Sequence, residues 1–365
     1  MTKKQRVHLE LLVFNDPLMT QKSHNHFSQV IAEKFKDLDS IELADMYADN
    51  GFLKTFLEFL KEQHWIKTHS DQKLKLLFEE FVQPYLAVEF KSREYLHEFM
   101  KHLEVQNIKK LGQQVGYIEE AILLAIKERS SLDKINFSRQ VLVEIQKIYL
   151  IEHFLTLDKK QKNLPMELSL YRTFDSIDEM FNLTYTEDLG MKTNMLTGER
   201  LYEGAGVGVQ SGYSNLLTAL YFLNPEPGAR IIDLGSGYGR LGFVVGLMRP
   251  DMDFIGYEFV KHRVDISNKT VSEMQLGEHV HFYEQDLSNK HFKIPEAEIY
   301  YLYDPFCEET YKYVLSQLVE ISRKQKICIV TKGNARPWLM EVAEQNHWPD
   351  CQQLDSGNLC LFASR

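Results

Sequence analysis

A glycine-poor helical half followed by an α/β half, whose parallel sheet is finished by an antiparallel hairpin, is the fold class that the 365 residues predict. Three observations predict it. Only Gly51, Gly112 and Gly116 precede residue 165, while sixteen glycines follow it. From Arg230 onward short apolar strands alternate with helical stretches, the pattern of a sheet covered by helices on both faces. The last two strands are joined by Asp355-Ser-Gly-Asn, a hairpin-length turn.

Residues 1–165 read as an all-α domain. Glycine and proline are the residues helices tolerate least, and proline occurs there only at 17, 84 and 165. In Phe52-Leu-Lys-Thr-Phe-Leu-Glu-Phe-Leu-Lys, apolar positions recur at helical spacing with charges between them. Similar patterns run through Lys73–Phe81, Tyr95–Leu103, Ile118–Ile126 and Val141–Leu155. Five to seven helices are expected over residues 20–160, with their aromatic and Met positions in the core. The domain is expected to recognise a substrate or to mediate homodimerisation.

Residues 166–205 form a connecting region, entered through the helix-ending Asp158-Lys-Lys-Gln-Lys-Asn-Leu-Pro. The stretch Glu203-Gly-Ala-Gly-Val-Gly-Val-Gln-Ser-Gly212 is too glycine-rich for regular structure. It reads as a loop bringing backbone close to a ligand, or as a plain linker. Residues 206–365 hold the sheet. Its strands are expected at Arg230–Leu234, Phe254–Glu258, Val280–Gln285, Ile299–Tyr303, Lys326–Thr331, Cys351–Leu354 and Leu359–Ala363. Helices are expected near Leu241–Met248, Lys261–Met274, Glu308–Arg323 and Trp338–Asn346.

Composition narrows the partners. Apolar residues make up 44% and charged residues 26%, the balance of a globular chain. No apolar run reaches the roughly 18 residues needed to cross a bilayer, and the basic Met1-Thr-Lys-Lys-Gln-Arg is not followed by an apolar signal core. No membrane association and a cytoplasmic location are expected. Cys307, Cys328, Cys351 and Cys360 form no C-x-x-C pair, so free thiols and no metal site are expected. Residues 1–165 carry 24 Lys+Arg against 24 Asp+Glu, and residues 166–365 carry 18 against 28. Gripping nucleic acid through its phosphates calls for the opposite sign. A protein or small amine is favoured over nucleic acid as the partner.

The most informative segment is Ile231-Ile-Asp233-Leu-Gly235-Ser236-Gly237-Tyr-Gly239-Arg-Leu-Gly242. An apolar strand ends in an acid, a glycine loop follows, and a helix begins. Glycines let backbone approach a ligand, and the helix start offers free N–H groups. The formal G-x-G-x-x-G match suits a dinucleotide, but Asp233 would repel the pyrophosphate that such a ligand places at this turn. S-adenosyl-L-methionine (SAM) carries an ammonium and a sulfonium and no phosphate, so an acid here favours it. Glu258 ends the second strand, placed to accept from both ribose hydroxyls. Asp286 follows the third, placed to accept from the adenine amino group, with the Leu287 N–H available to a ring nitrogen. All three acids fall at carboxyl ends of strands, where open α/β sheets bind ligands.

Asp233-Leu-Gly-Ser-Gly-Tyr-Gly239, Glu258 and Asp286 resemble the successive motifs of the class I SAM-dependent methyltransferases. The resemblance covers roughly residues 200–365 and implies a seven-stranded Rossmann-like sheet with an antiparallel last strand, with SAM as cofactor. Together with Tyr202-Glu203-Gly204 and Gln210-Ser-Gly-Tyr213, the first motif is more distantly similar to non-SET histone-lysine methyltransferases and related bacterial protein-lysine enzymes.

Methyl transfer requires a nucleophile held about 3–3.5 Å from the methyl carbon, and an amine must arrive deprotonated. Tyr301-Leu-Tyr303-Asp304-Pro305-Phe306 resembles the [Asp/Asn]-Pro-Pro-aromatic motif of amino-group methyltransferases, with one proline instead of two. That resemblance implies that Asp304 and a backbone carbonyl accept from the amine while Phe306 packs beside it. The same residues also read as a helix start, with Asp304 as N-cap, Pro305 at N1, and Glu308 and Glu309 in the first turn. Tyr202, Glu203 and Tyr213 are further candidates for covering the methionine end of SAM or the substrate channel. Lys332, Asn334 and Arg336 are candidates for lining the site. The expected activity is methyl transfer from SAM to an amine, with protein lysine leading. The alternatives are a nicotinamide-dependent oxidoreductase and a SAM-binding module without chemistry.

Overall fold

A computed structural model of the chain describes residues 2–13, 31–66, 76, 104–161, 170–191 and 210–364. The helical pattern at Tyr95–Leu103, that at Lys73–Phe81 apart from Leu76, and the glycine-rich stretch through residue 209 with Tyr202 and Glu203 lie outside the described residues. The chain forms two compact units, Met1–Met180 and Phe181–Arg365. Their boundary falls inside the stretch read as a connector.

The first unit contains α1 (Lys3–Val13), α2 (Ser40–Ile66), α3 (Ile108–Lys127) and α4 (Ser131–Gln161). Helix α1 begins well before residue 20, where the helical reading started. Its charged first turn hid an inward stripe of His8, Leu11 and Leu12, all buried. Helix α2 opens with a reciprocal capping box: Glu42 N donates to Asp39 Oδ1 at 2.8 Å and Asp39 N to Glu42 Oε2 at 3.1 Å. The helix then packs along both α3 and α4, burying Tyr47, Phe56 and Leu60. Asn50 Nδ2 donates to Val115 O at 2.8 Å, fixing α2 against α3 inside this core.

The second unit is built on a seven-stranded sheet. Its strands are β1 (Arg230–Leu234), β2 (Asp253–Glu258), β3 (Val280–Glu284), β4 (Ile299–Tyr303), β5 (Cys328–Lys332), β6 (Gln352–Leu354) and β7 (Leu359–Ala363). The order is β3-β2-β1-β4-β5-β7-β6. Strands β1 to β5 pair in parallel, and β7 runs antiparallel between β5 and β6. Helices α5 (Tyr213–Leu223), α6 (Arg240–Met248), α7 (Lys261–Glu273), α8 (Glu308–Ser322) and α9 (Arg336–Gln345) accompany it. Strand β5 starts two residues later than expected. Helix α9 starts two residues earlier, with Pro337 in its first turn, where a missing N–H costs nothing. Helix α5 was not foreseen, because its run Leu216-Leu-Thr-Ala-Leu-Tyr-Phe-Leu223 is apolar nearly all round and shows little helical periodicity.

Two apolar clusters hold the sheet. In one, Ile232, Leu234, Tyr300, Leu302, Ile329 and Phe362 meet Tyr311 and Leu318 of α8 and Leu339 of α9. In the other, Phe282 packs against Phe254 and Phe243 with ring centroids 5.4 and 5.8 Å away. Here the sequence of the glycine loop has a packing reason. A Cβ on Gly242 would lie 2.6 Å from Phe282 Cζ and 2.7 Å from Phe254 Cε1, so the first turn of α6 sits on the sheet only because that position has no side chain. Among the described residues no helix is long and apolar enough to cross a membrane, and all four cysteines are unpaired.

Gly242→Ala should therefore destabilise the second unit by about 1–3 kcal/mol through overpacking. In that background Phe282→Leu should recover part of the loss, measured as denaturation midpoints of the two variants. A fully additive pair would disprove the packing account.

Candidate active site

The site lies at the carboxyl ends of β1, β2 and β4, where the order of the parallel strands switches between β1 and β4. That is where open α/β sheets leave a crevice. Gly235 leaves β1 with φ +97°, and both its N–H and that of Ser236 donate to Tyr257 O at 2.9 Å. The turn is thereby tied to the neighbouring strand. A Cβ on Gly235 would also collide with the Pro305 ring, so the loops after β1 and β4 approach each other only through a glycine. Gly239, at φ +84°, is the N-cap position of α6.

The cleft is lined by Asp233, Gly235, Ser236, Gly237, Glu258 and Asp304. Six of the residues singled out from the sequence thus come together. Gly239 caps the helix behind the loop and does not line the cleft. Asp286 lies just past β3, half-buried, with Oδ1 accepting from Ser288 N at 2.9 Å and Ser288 Oγ at 2.6 Å. The Leu287 side chain is buried in the apolar core. Phe306 is also in that core, against Tyr311 with centroids 5.1 Å apart. Tyr213 is fully buried at the start of α5 with Arg240 stacked over its ring at 4.9 Å. None of these four side chains is among those that line the cleft around the glycine turn.

The capping role expected of Asp304 is corrected. Helix α8 begins at Glu308 with Cys307 as its N-cap, while Glu308 and Glu309 do occupy its first turn. Pro305 and Phe306 extend the chain before the helix begins. Asp304 instead adopts φ +47°, a left-handed conformation that aspartate tolerates better than most residues. Its Oδ2 accepts from Asn334 Nδ2 at 2.7 Å. A residue held in this way at a cleft fits the tendency of backbone strain to gather at working sites. The neighbouring candidates Lys332 and Arg336 are not among the lining residues. Lys332 Nζ lies 5.0 Å over the Tyr303 ring and donates to Asn215 Oδ1 at 2.5 Å. Arg336 donates to Gly357 O in the final hairpin.

Two carboxyl groups dominate the electrostatics. Burial first, and the charge of Glu258 second, push the Asp233 carboxyl well above its ordinary value. Glu258 is itself buried; its Oε2 accepts from Gly237 N at 2.8 Å and its Oε1 from Val260 N at 3.0 Å. A cation arriving beside Asp233 would restore its ionised form, because opposite charge favours the charged state.

Several lining residues were missed in the sequence. Tyr301, Tyr303 and Pro305 form the wall contributed by β4, and Tyr301 Oη lies 2.9 Å from Ser211 Oγ. Phe259 follows Glu258, and Arg240 lies inside the glycine segment itself. Arg240 is buried and donates to Ser211 O at 3.0 Å. Tyr301, Tyr303 and Arg240 stood within the quoted segments, but the motifs are silent on them; Pro305 is a motif position whose contact with the cleft was not foreseen, and Phe259 lies just past the second strand as read. Arg263 also lines the cleft, and its guanidinium forms a two-point pair with Asp188 at 3.2 and 3.1 Å. Burial alone would raise the Asp188 carboxyl, but Arg263, His262 and Tyr238 together hold it below its ordinary value.

The residues present fit SAM. Ser236 Oγ is buried with no hydrogen-bond partner among the described residues, and the glycine turn gives a cradle that any Cβ would narrow. The Asp233–Glu258 pair suits a ligand with positive charge at one end and a diol at the other, and opposes a pyrophosphate. Strand order and the reversed β7 make this the Rossmann-like class I methyltransferase fold.

No protein-family model matches the chain, and no curated protein matches it. Solved structures do align with part of it. TrmN from Thermus thermophilus aligns at 14% identity over 40% of this chain and 47% of its own, with a TM-score of 0.32. An RNA methyltransferase from Salinibacter ruber, in complex with S-adenosyl-L-homocysteine, aligns at 18% identity over 42% of this chain and 92% of its own, with a TM-score of 0.33. A precorrin-6y C5,15-methyltransferase from Geobacter metallireducens aligns at 12% identity over 42% and 88%, also at 0.33. This chain spans just under half the length of the first of them.

The raised Asp233 carboxyl has a defined sign. Its folded form holds a proton that the unfolded chain releases above 3.8, so its contribution to stability is present below that pH and is lost as pH rises through the folded value. Asp233→Asn should therefore unfold at a higher temperature than wild type at pH 7, with the gap closing towards pH 4, and should lose SAM binding. A variant less stable than wild type at pH 7 would count against a strained carboxyl.

Proposed function

We propose that the chain is a SAM-dependent methyltransferase acting on an amine, with a protein lysine as the leading acceptor. The observation that carries this reading is the acidic, phosphate-hostile glycine cleft: Asp233 and Glu258, both buried, flank the turn Gly235-Ser-Gly237. A nicotinamide dinucleotide would set its pyrophosphate against them. Bound in this cleft, SAM supplies a methyl group on a positively charged sulfur.

The remaining work belongs to the chain's own residues. Asp233 would balance the ammonium and Glu258 would receive the ribose hydroxyls, with Ser236 in the turn between them. Asp286 and the Leu287 N–H remain the proposed partners of the adenine. Tyr301, Tyr303 and Pro305 wall the acceptor side and keep water out. Asp304, held by Asn334, accepts a proton from the incoming amine, so that nitrogen presents its lone pair. General-base placement of this kind is worth about 100-fold or more in rate. The acidic balance of residues 166–365 supports a cationic acceptor over nucleic acid, and the helical unit is proposed to recognise that acceptor or to join two copies of the chain. A cytoplasmic location fits this reading.

Isothermal titration with SAM is expected to give saturable binding. Incubation with labelled SAM and cell lysate should place the label on protein amino groups. No heat of binding at millimolar SAM in folded protein would defeat the reading. Asp304→Gly, which accepts the left-handed backbone and removes the acceptor, should lose about 100-fold in turnover at unchanged SAM affinity. Undiminished turnover would remove Asp304 from the chemistry.

A further inference from the structure

We propose that Asp188 is a positioning residue of the cofactor pocket: by gripping Arg263 it keeps that guanidinium from capturing Glu258, leaving carboxylate lone pairs for the ribose hydroxyls. The proposal rests on the cleft being a SAM site.

Asp188 sits on a short 3₁₀ turn, Glu187–Gly190, far in sequence from the glycine loop. Its side chain is almost wholly buried. Arg263 meets it through Nε and Nη2 at 3.2 and 3.1 Å, the fork-to-carboxylate geometry that makes arginine pairs specific. The third guanidinium nitrogen only grazes the cofactor acid, with Nη1 3.5 Å from Glu258 Oε1. The buried guanidinium is thus shared unequally, and Asp188 holds the larger share.

The inequality has a consequence at Glu258. A carboxylate offers about four lone-pair sites. Gly237 N and Val260 N take two of them, one on each oxygen. What remains suits a vicinal diol, provided Arg263 stays back. Without Asp188, the buried Arg263 must find another anion, since an unpaired buried charge is far costlier than a re-formed pair. Glu258 is the acid already within reach. A guanidinium closing on it would take the sites the hydroxyls need.

Asp188 is itself anchored from the cofactor loop. Tyr238, between Gly237 and Gly239, donates its hydroxyl to Asp188 Oδ1 at 2.9 Å, and His262 Nε2 lies 3.0 Å from the same oxygen. The arginine also stacks over the Tyr238 ring at 5.6 Å. The turn that cradles the ligand therefore helps to hold the acid that restrains Arg263.

The test uses the full chain, with S-adenosylhomocysteine and its 2′,3′-dideoxy counterpart as probes and calorimetric affinities as readout. Wild type is expected to prefer the hydroxylated ligand by about 10- to 100-fold, the range for hydrogen bonds to a charged group. Asp188→Asn should cut that preference to about 3-fold or less while leaving the affinity for the dideoxy ligand nearly unchanged. In the double variant Asp188→Asn/Arg263→Gln, the preference should return towards the wild-type ratio, because the competitor is gone. A merely structural role for Asp188 predicts equal loss for both ligands and a further loss in the double variant, and either result overturns the proposal. If Asp188→Asn does not fold, Tyr238→Phe, which removes one donor and keeps the ring, should move the ratio the same way by about 2-fold, and an unmoved ratio counts against the proposal. Wild type that binds neither ligand refutes the underlying SAM reading instead.

Discussion

Two carboxyl groups forced together at the ends of adjacent parallel strands are the constraint around which the second unit is arranged. Asp233 on β1 and Glu258 on β2 are both buried, and burial together with the charge of Glu258 makes an ionised Asp233 costly. The fold answers this tension unevenly. Glu258 accepts from Gly237 N and Val260 N, with Arg263 only at the edge of reach. Asp233 is left with a carboxyl pushed towards its neutral form. A protein optimised only for stability would replace such a pair with apolar side chains, because buried charge is seldom a net gain. Its retention beside a glycine cradle is the physical sense in which this cleft is built for a ligand.

The sheet was legible in the sequence because its signals are local. Apolar runs ending in Asp233, Glu258 and Tyr303 place three strands to within a residue, and Asp355-Ser-Gly-Asn marks the hairpin that reverses β7. The glycine turn was legible as a glycine-rich break between strand and helix, and Gly235, Gly237 and Gly239 use there the positive φ that glycine permits. The close approach of Gly235 to Pro305 was not, since it depends on which loop the topology brings alongside. Asp304 illustrates a different failure. Its sequence context fits a helix start well, yet the backbone turns left-handed there and the helix waits until Glu308. Local capping rules were overridden by the geometry at the end of β4.

The Asp188–Arg263 pair spans 75 residues and carries no motif, so nothing in the one-dimensional pattern announces it. The same holds for Phe306, which reads as a cleft aromatic by analogy but spends its ring in the core beside Tyr311. The aromatic work at the cleft falls to Tyr301, Tyr303 and Phe259 instead. In each case the residue type was visible and its direction was not. Side-chain direction along β4 follows from strand alternation, which aligns Tyr301 and Tyr303 but leaves the residues beyond the strand undetermined.

The position of β7 bears on how the protein comes to be made. Leu359–Ala363 is an interior strand, bonded to β5 on one side and β6 on the other. As the chain leaves the ribosome, the helical first unit can condense early, whereas β5 keeps an open, apolar flank until this late segment emerges. During that interval Ile329 and Val330 lie on an unpaired edge of the kind that recruits foreign strands. Completion of the second unit is thus a race between β7 and any foreign strand that reaches β5 first.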